Sequence, residues 1–247
     1  LAVCEAYYKS GKKPKHPIEV IVFTDEEGFR FGSGMFGSSM FCGEELEVGE
    51  EDLDLNGQLR REVLGQWGLS LSEAEKARRK KDSIHCFLEL HIEQGARLYR
   101  EQKSIGVVTA IAGVSRIEIC ITGEANHSGS TAMGDRKDAL VVAAELIQEL
   151  PHMVERYGEE YTVATVGSLQ VIPGSVNVVP GSCVFSLEIR DQSAEIVQLI
   201  EDYAKQYLTE RCEKRGMIYT LKKLSYHQPS PMSKWVADEI REAACAL

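Results

Sequence analysis

The chain has 247 residues, enough to bury a substantial core and to form one large or two small domains. Its 28 Lys and Arg stand against 38 Asp and Glu, a net charge of −10 that argues against nucleic acid as a partner. No apolar stretch approaches the roughly 18–20 residues that span a bilayer, and no secretion signal is visible. The seven cysteines keep no C-x-x-C spacing. Several, such as Cys86 and Cys120, lie inside apolar runs, so they read as buried free thiols in a reducing cytoplasm.

In chain order, residues 1–10 read as the end of a helix stopped by Gly11, and 18–24 as a strand that runs into Asp25-Glu26-Glu27-Gly28. Residues 36–42 open a helix or turn, and the acidic run 44–52 reads as a solvated loop. Ser70-Leu71-Ser72-Glu73 has the form of a capping box, which starts a short helix over 72–81. A strand over 85–90 delivers His91, and 92–102 reads as a helix with Glu93 and Arg97 paired on its face. Residues 107–112 and 116–122 are strands, the second alternating Ile117, Ile119 and Ile121 with Arg116, Glu118 and Cys120. A helix over 138–150 stops at Pro151, two or three strands fill 161–171 and 175–190, an amphipathic helix covers 193–208, and 217–224 is a closing strand. From 116 the order is strand, helix, strand, strand, helix, strand, the split βαβ of a ferredoxin-like module. Residues 235–247 return to helix.

The chain opens without Met and closes in mid-helix, so it reads as an internal piece of a longer protein. The fold expected is α/β: part of a metal-binding catalytic domain at 1–105, an inserted α+β module at 106–226, and a return to the catalytic domain at 227–247.

Paired carboxylates at the end of an apolar run are costly to bury, so Glu26 and Glu27 should face a metal, a cation or water. A carboxylate and the His91 imidazole are ligands that zinc accepts, and a spare carboxylate suits metal-assisted hydrolysis. Solvated acids at an ordinary strand end are the alternative.

Gly123-Glu124-Ala125-Asn126-His127-Ser128-Gly129-Ser130-Thr131-Ala132-Met133, with Arg136 and Asp138-Ala139 beyond it, resembles the histidine signature of the N-carbamoyl-L-amino acid hydrolase and allantoate amidohydrolase family. That family sits within the dinuclear zinc aminoacylase-like metallopeptidases. Asp25–Gly28 with Arg30-Phe31-Gly32 and Gly37-Ser38, His91-Ile92-Glu93-Gln94-Gly95, Val176–Gly181 and Leu187–Asp191 resemble its other blocks in order.

The resemblance implies two zinc ions, with Mn²⁺ or Co²⁺ as substitutes, held in part by Glu27 and His91. It implies Glu26 as the general base, and His127 as the oxyanion donor supplied to the neighbouring subunit of a homodimer. Gln94, Arg116, Asn177 and Arg190 are implied on the substrate side, Asn177 and Arg190 gripping a carboxylate. A helix cap for Gln94, a strand-edge charge for Arg116, and an ion pair with Asp191 or Glu188 for Arg190 are the competing readings.

Two departures qualify the match. Ala132 stands where many members have Pro, and the family's remaining ligands, two His and an Asp, have no counterpart in this stretch. The activity implied is hydrolysis of a carbamoyl C–N bond, with Arg30-Phe31-Gly32 leaning toward allantoate. The alternatives are an aminoacylase or dipeptidase of the same superfamily and a non-catalytic dimerisation module. The stretch by itself is expected to be inert, with the insert folding independently.

Overall fold

Helices carry nearly all the regular structure among residues 1–92: α1 (Ala2–Ser10), α2 (Phe36–Cys42), α3 (Arg60–Gln66) and a 3-10 helix over Leu71–Ala77. The computed structural model describes residues 1–32, 34–44 and 48–246, so part of the acidic run lies outside the described residues. It forms two compact units, Leu1–Ile92 and Glu93–Leu247.

Gly11 ends α1 with φ 66°, as a left-handed C-terminal glycine does. The first unit packs Phe36, Val63 and Leu64 into a small core. Arg60, only 2% exposed, lies 4.0 Å over the Phe31 ring and donates to Asp52 at 3.2 Å. The expected strands at 18–24 and 85–90 are absent: both segments lack ladder hydrogen bonds. A strand is defined by hydrogen bonds to a neighbour, and neither run makes them although the Phe23 and Phe87 rings lie 6.3 Å apart; Val22 stays 89% and Leu90 100% exposed.

The second unit holds α4 (Arg97–Arg100), the strands β1 (Ala110–Ile111), β2 (Gly113–Thr122) and β3 (Asn126–His127), and the helix α5 (Ala139–Tyr157). There follow β4 (Val163–Thr165), β5 (Leu169–Ile172), β6 (Val178–Val179) and β7 (Ser182–Asp191). Then come α6 (Ala194–Arg215), β8 (Ile218–His227), β9 (Ser230–Pro231) and α7 (Lys234–Cys245).

The sheet order is β4-β7-β2-β8, with β5 also on β7, and every pair is antiparallel. This is the expected split βαβ arrangement. Alternation sends Ile117, Ile119 and Ile121 of β2 and Phe185, Leu187 and Ile189 of β7 to one face, where α5 and α6 cover them with Val142, Leu146, Met153, Ile200 and Leu208. Arg116, Glu118, Glu188 and Arg190 point to the other face.

Several expected boundaries move. α5 runs through Pro151 because Leu150 and Met153, on either side of it, are both buried in the core, and that packing outweighs one missing N–H. α6 extends to Arg215, where Gly216 at φ 61° stops it. The helix over 92–102 shrinks to α4, because Glu93 does not pair with the Arg97 guanidinium. Its Oε1 accepts from the backbone N–H groups of Arg97 and Leu98 at 2.7 and 3.0 Å. The Arg97 side chain turns to Glu101 and Glu160. Cys183 and Cys212 are buried thiols as expected, whereas Cys86 is exposed.

Candidate active site

The paired glutamates of the first unit follow an exposed extended segment, and a pair of glycines holds their loop. A Cβ on Gly34 would come within 2.8 Å of the Glu26 carbonyl oxygen, and one on Gly37 within 2.5 Å of the Thr24 nitrogen. Without them, Met35 N–H donates to the Glu26 carbonyl at 2.7 Å and Gly37 N–H to that of Thr24 at 2.9 Å. Glu26 and Glu27 are left exposed, and Asp25 Oδ2 beside them is buried with no hydrogen-bond partner among the described residues.

Arg30 is not free for a substrate. Its Nε donates to Asp54 Oδ2 at 2.8 Å and its Nη2 to Gln58 at 2.9 Å, so it ties its own loop to the turn at 54–58.

His91 Nδ1 lies 2.6 Å from the Ile92 carbonyl oxygen. A carbonyl only accepts, so Nδ1 carries the proton and Nε2 keeps its lone pair, the form that ligates a metal. Glu27 and His91 thus fit a divalent metal in kind. Among the described residues, however, no group of three or more His, Cys, Asp or Glu side chains could hold one, and catalytic zinc takes three protein ligands.

In the second unit β3 pairs with β6, setting His127 opposite Val178, and Ser128 N–H donates to the Asn177 carbonyl at 2.9 Å. The Gly129 N–H donates to His127 Nδ1 at 3.1 Å. An N–H only donates, so Nδ1 accepts, and the proton of the neutral ring sits on Nε2, exposed as a donor. Arg136 clamps this turn, donating to the carbonyls of Ser128 at 2.6 Å and Thr131 at 3.2 Å.

Arg116 and Arg190 meet at Glu188. Arg116 Nε donates to Glu188 Oε2 at 2.6 Å and Arg190 Nε to Oε1 at 2.7 Å. The guanidinium of Arg190, and then that of Arg116, holds the Glu188 carboxyl below the usual carboxylate range. Their Nη groups have no partner among the described residues.

Within one chain Asn177 and Arg190 do not converge. Asn177 lies beyond the Ser182 end of β7 and Arg190 near the other; the eight residues from 182 to 190, at about 3.4 Å each, already span roughly 27 Å. Gln94 is exposed at φ 54°, and the capping considered for it is performed by Glu93. The ion pair with Glu188 that the sequence offered for Arg190 is present, whereas sequence reasoning missed the second arginine on Glu188 and the roles of Gly129 and Arg136 in shaping the site. The alternation of β7, which places 188 and 190 on one face, favours Glu188 over Asp191 as that partner.

Residues 109–215 match the model of the peptidase dimerisation domain. The chain is 35% identical to an N-carbamoyl-L-amino-acid amidohydrolase of Paenarthrobacter aurescens, over 100% of this chain and 60% of that protein. It is 30% identical to an allantoate amidohydrolase of Bacillus subtilis, over 90% of this chain and 53% of that protein. A crystal structure of an amidase of the hydantoinase/carbamoylase family from Burkholderia multivorans superposes with a TM-score of 0.88 at 32% identity, over 99% of this chain and 58% of that one. The chain therefore spans between about half and three fifths of the length of these relatives.

Proposed function

We propose, for a chain that belongs to the hydantoinase/carbamoylase family of amidases, that the whole protein hydrolyses the carbamoyl C–N bond of a small N-carbamoyl amino acid or related ureido acid. The observation that carries this reading is the His127 ring, with Nδ1 occupied by the Gly129 N–H and the Nε2 proton presented outward. A positioned, exposed donor of that kind suits the oxyanion of a tetrahedral intermediate.

Glu26 takes the proton of the attacking water and returns it to the leaving nitrogen. Glu27 and His91 contribute to holding a divalent metal, zinc by preference, which supplies Lewis acidity at the scissile carbonyl. Arg190, Arg116 and Asn177 bind the substrate carboxylate, and Gln94 the ureido group. Since Asn177 and Arg190 are far apart in one chain, the grip takes Asn177 from one copy and Arg190 from another. Residues 106–226 are then the lid and dimerisation module of a homodimer. The seven cysteines form no disulfide, which suits the cytoplasm, and no helix of the described residues is long and apolar enough to cross a membrane.

Glu26→Gln in the intact protein tests the assignment. Losing a general base lowers ammonia release by about 10²–10⁴-fold, and near-wild-type turnover would end the reading. Cleavage of dipeptides without ureido hydrolysis would move the protein to the peptidase branch of the superfamily, and an intact protein that binds no metal would make it a non-catalytic module. Comparing N-carbamoyl-L-amino acids, a β-ureido acid and allantoate side by side ranks the substrates.

A further inference from the structure

Glu188 stands between Arg116 and Arg190 on the open face of the sheet, directly across from Arg116 in the β2–β7 ladder. Two cations beside one carboxylate can mean either of two things. The carboxylate is either a competitor that lowers the pull on any incoming anion or a brace that fixes the cations for it. The hydrogen bonds distinguish these. Each carboxylate oxygen takes one Nε–H, at 2.6 and 2.7 Å, so Glu188 occupies the inner edge of both guanidiniums and none of their four Nη nitrogens. Arg116 and Arg190 are about half exposed, yet each is tethered at the base of its planar group. The rotamer freedom that a surface arginine loses on binding is already lost here, and the triad keeps a net charge of +1.

We propose that Glu188 is a positioning residue that joins Arg116 and Arg190 into one fork for a carboxylate, and that Arg116 belongs to this site as fully as Arg190. The inference rests on the reading of Arg190 as part of the substrate grip. Glu188 then sets the preference for anionic over neutral substrates without touching the reacting bond.

The two meanings make opposite predictions. Glu188→Gln removes a negative charge, so a competitor's loss would tighten carboxylate binding. A brace's loss weakens it, because an amide offers one acceptor oxygen where two are needed. Glu188→Asp keeps the charge but is one methylene shorter and cannot span both Nε groups.

The test measures kcat and KM of the intact protein for N-carbamoyl-L-alanine in wild type, Glu188→Gln and Glu188→Asp. Arg Nε–H resonances are followed in parallel while N-carbamoyl-L-alanine, and separately its neutral amide, is titrated. Thermal unfolding monitors folding of each variant. Both variants should raise KM about tenfold with kcat within about twofold, and lose the slowly exchanging Nε–H signals of Arg116 and Arg190. An unchanged or lowered KM in Glu188→Gln, or wild-type behaviour of Glu188→Asp, would overturn the proposal. A wild type that releases no ammonia refutes the proposed activity instead. In that case the resonances still decide the fork: carboxylate-specific shifts that vanish in both variants support it, and their absence in the wild type overturns it.

Discussion

His91 and His127 are the same side chain in opposite hydrogen-bonding states. His91 gives its Nδ1 proton to the Ile92 carbonyl and keeps an Nε2 lone pair, whereas His127 accepts the Gly129 N–H at Nδ1 and presents an Nε2 proton. One ring leaves a lone pair at Nε2 and the other a proton there, and a single backbone group one or two residues on decides which. Their supports differ as well. His91 ends an extended segment without ladder bonds, while His127 sits in a turn held by the two-stranded β3–β6 pair and by Arg136. Residue type alone says that both can do acid–base or metal chemistry, and the local backbone assigns the work.

The strongest way to break the contrast is to remove the support beneath one of the two. Phe185→Ala opens the core under β7, where Phe185 is 1% exposed, and should destabilise the second unit by about 3–5 kcal/mol. Val22→Ala, in the exposed extended segment, should stay within about 0.5 kcal/mol. Denaturant unfolding of both variants checks this, and equal effects would deny that the two units are differently supported.

Next in size are the histidines themselves. In the intact protein His127→Ala should cost about 10²–10³ in kcat with metal content unchanged, whereas His91→Ala should lose bound metal. Metal analysis beside the rates separates them, and a His127→Ala protein that has lost its metal would erase the distinction. Arg136→Lys keeps the charge but not the two-pronged hold on Ser128 and Thr131. It should cost about tenfold in kcat through a loosened His127 turn, and ¹⁵N spectra should show the neutral His127 ring departing from the pure Nε2–H tautomer.

What could be read from the chain divides along the same line. The isoleucine alternation at 117, 119 and 121 names a strand buried on one face, and the strand and helix order from 116 names the module, because periodicity is a property of the element itself. The runs at 18–24 and 85–90 have the same apolar character, but pairing is a property of two segments, and these two bring Phe23 and Phe87 together without forming a ladder. Pro151 reads as a stop because local propensity cannot weigh the burial of Leu150 and Met153. The tie of Arg30 to Asp54 is not legible, because that partner is 24 residues away. The family resemblance points to His91 and His127, but the tautomer of each depends on where one carbonyl or one N–H falls, which no residue pattern encodes.

The smallest effect concerns the charges borne by the sheet. Glu188 has its carboxyl pKa held below the ordinary value of about 4.5 by Arg190 and Arg116. A folded-state pKa lower than the unfolded one means that the unfolded chain binds the proton more readily, so this group adds stability above the unfolded value. That contribution is complete at neutral pH, begins to fall as pH drops through about 4.5, and is gone below the folded-state pKa. Because both arginines are about half exposed, it should amount to about 1 kcal/mol or less. Unfolding of wild type and Glu188→Gln at pH 7 and at pH 3.5 isolates it, since the glutamine cannot titrate: the difference between the two proteins should shrink at the lower pH. A gap that instead widens on acidification would mean that Glu188 is destabilised by its surroundings, and that the two guanidiniums do not brace against it.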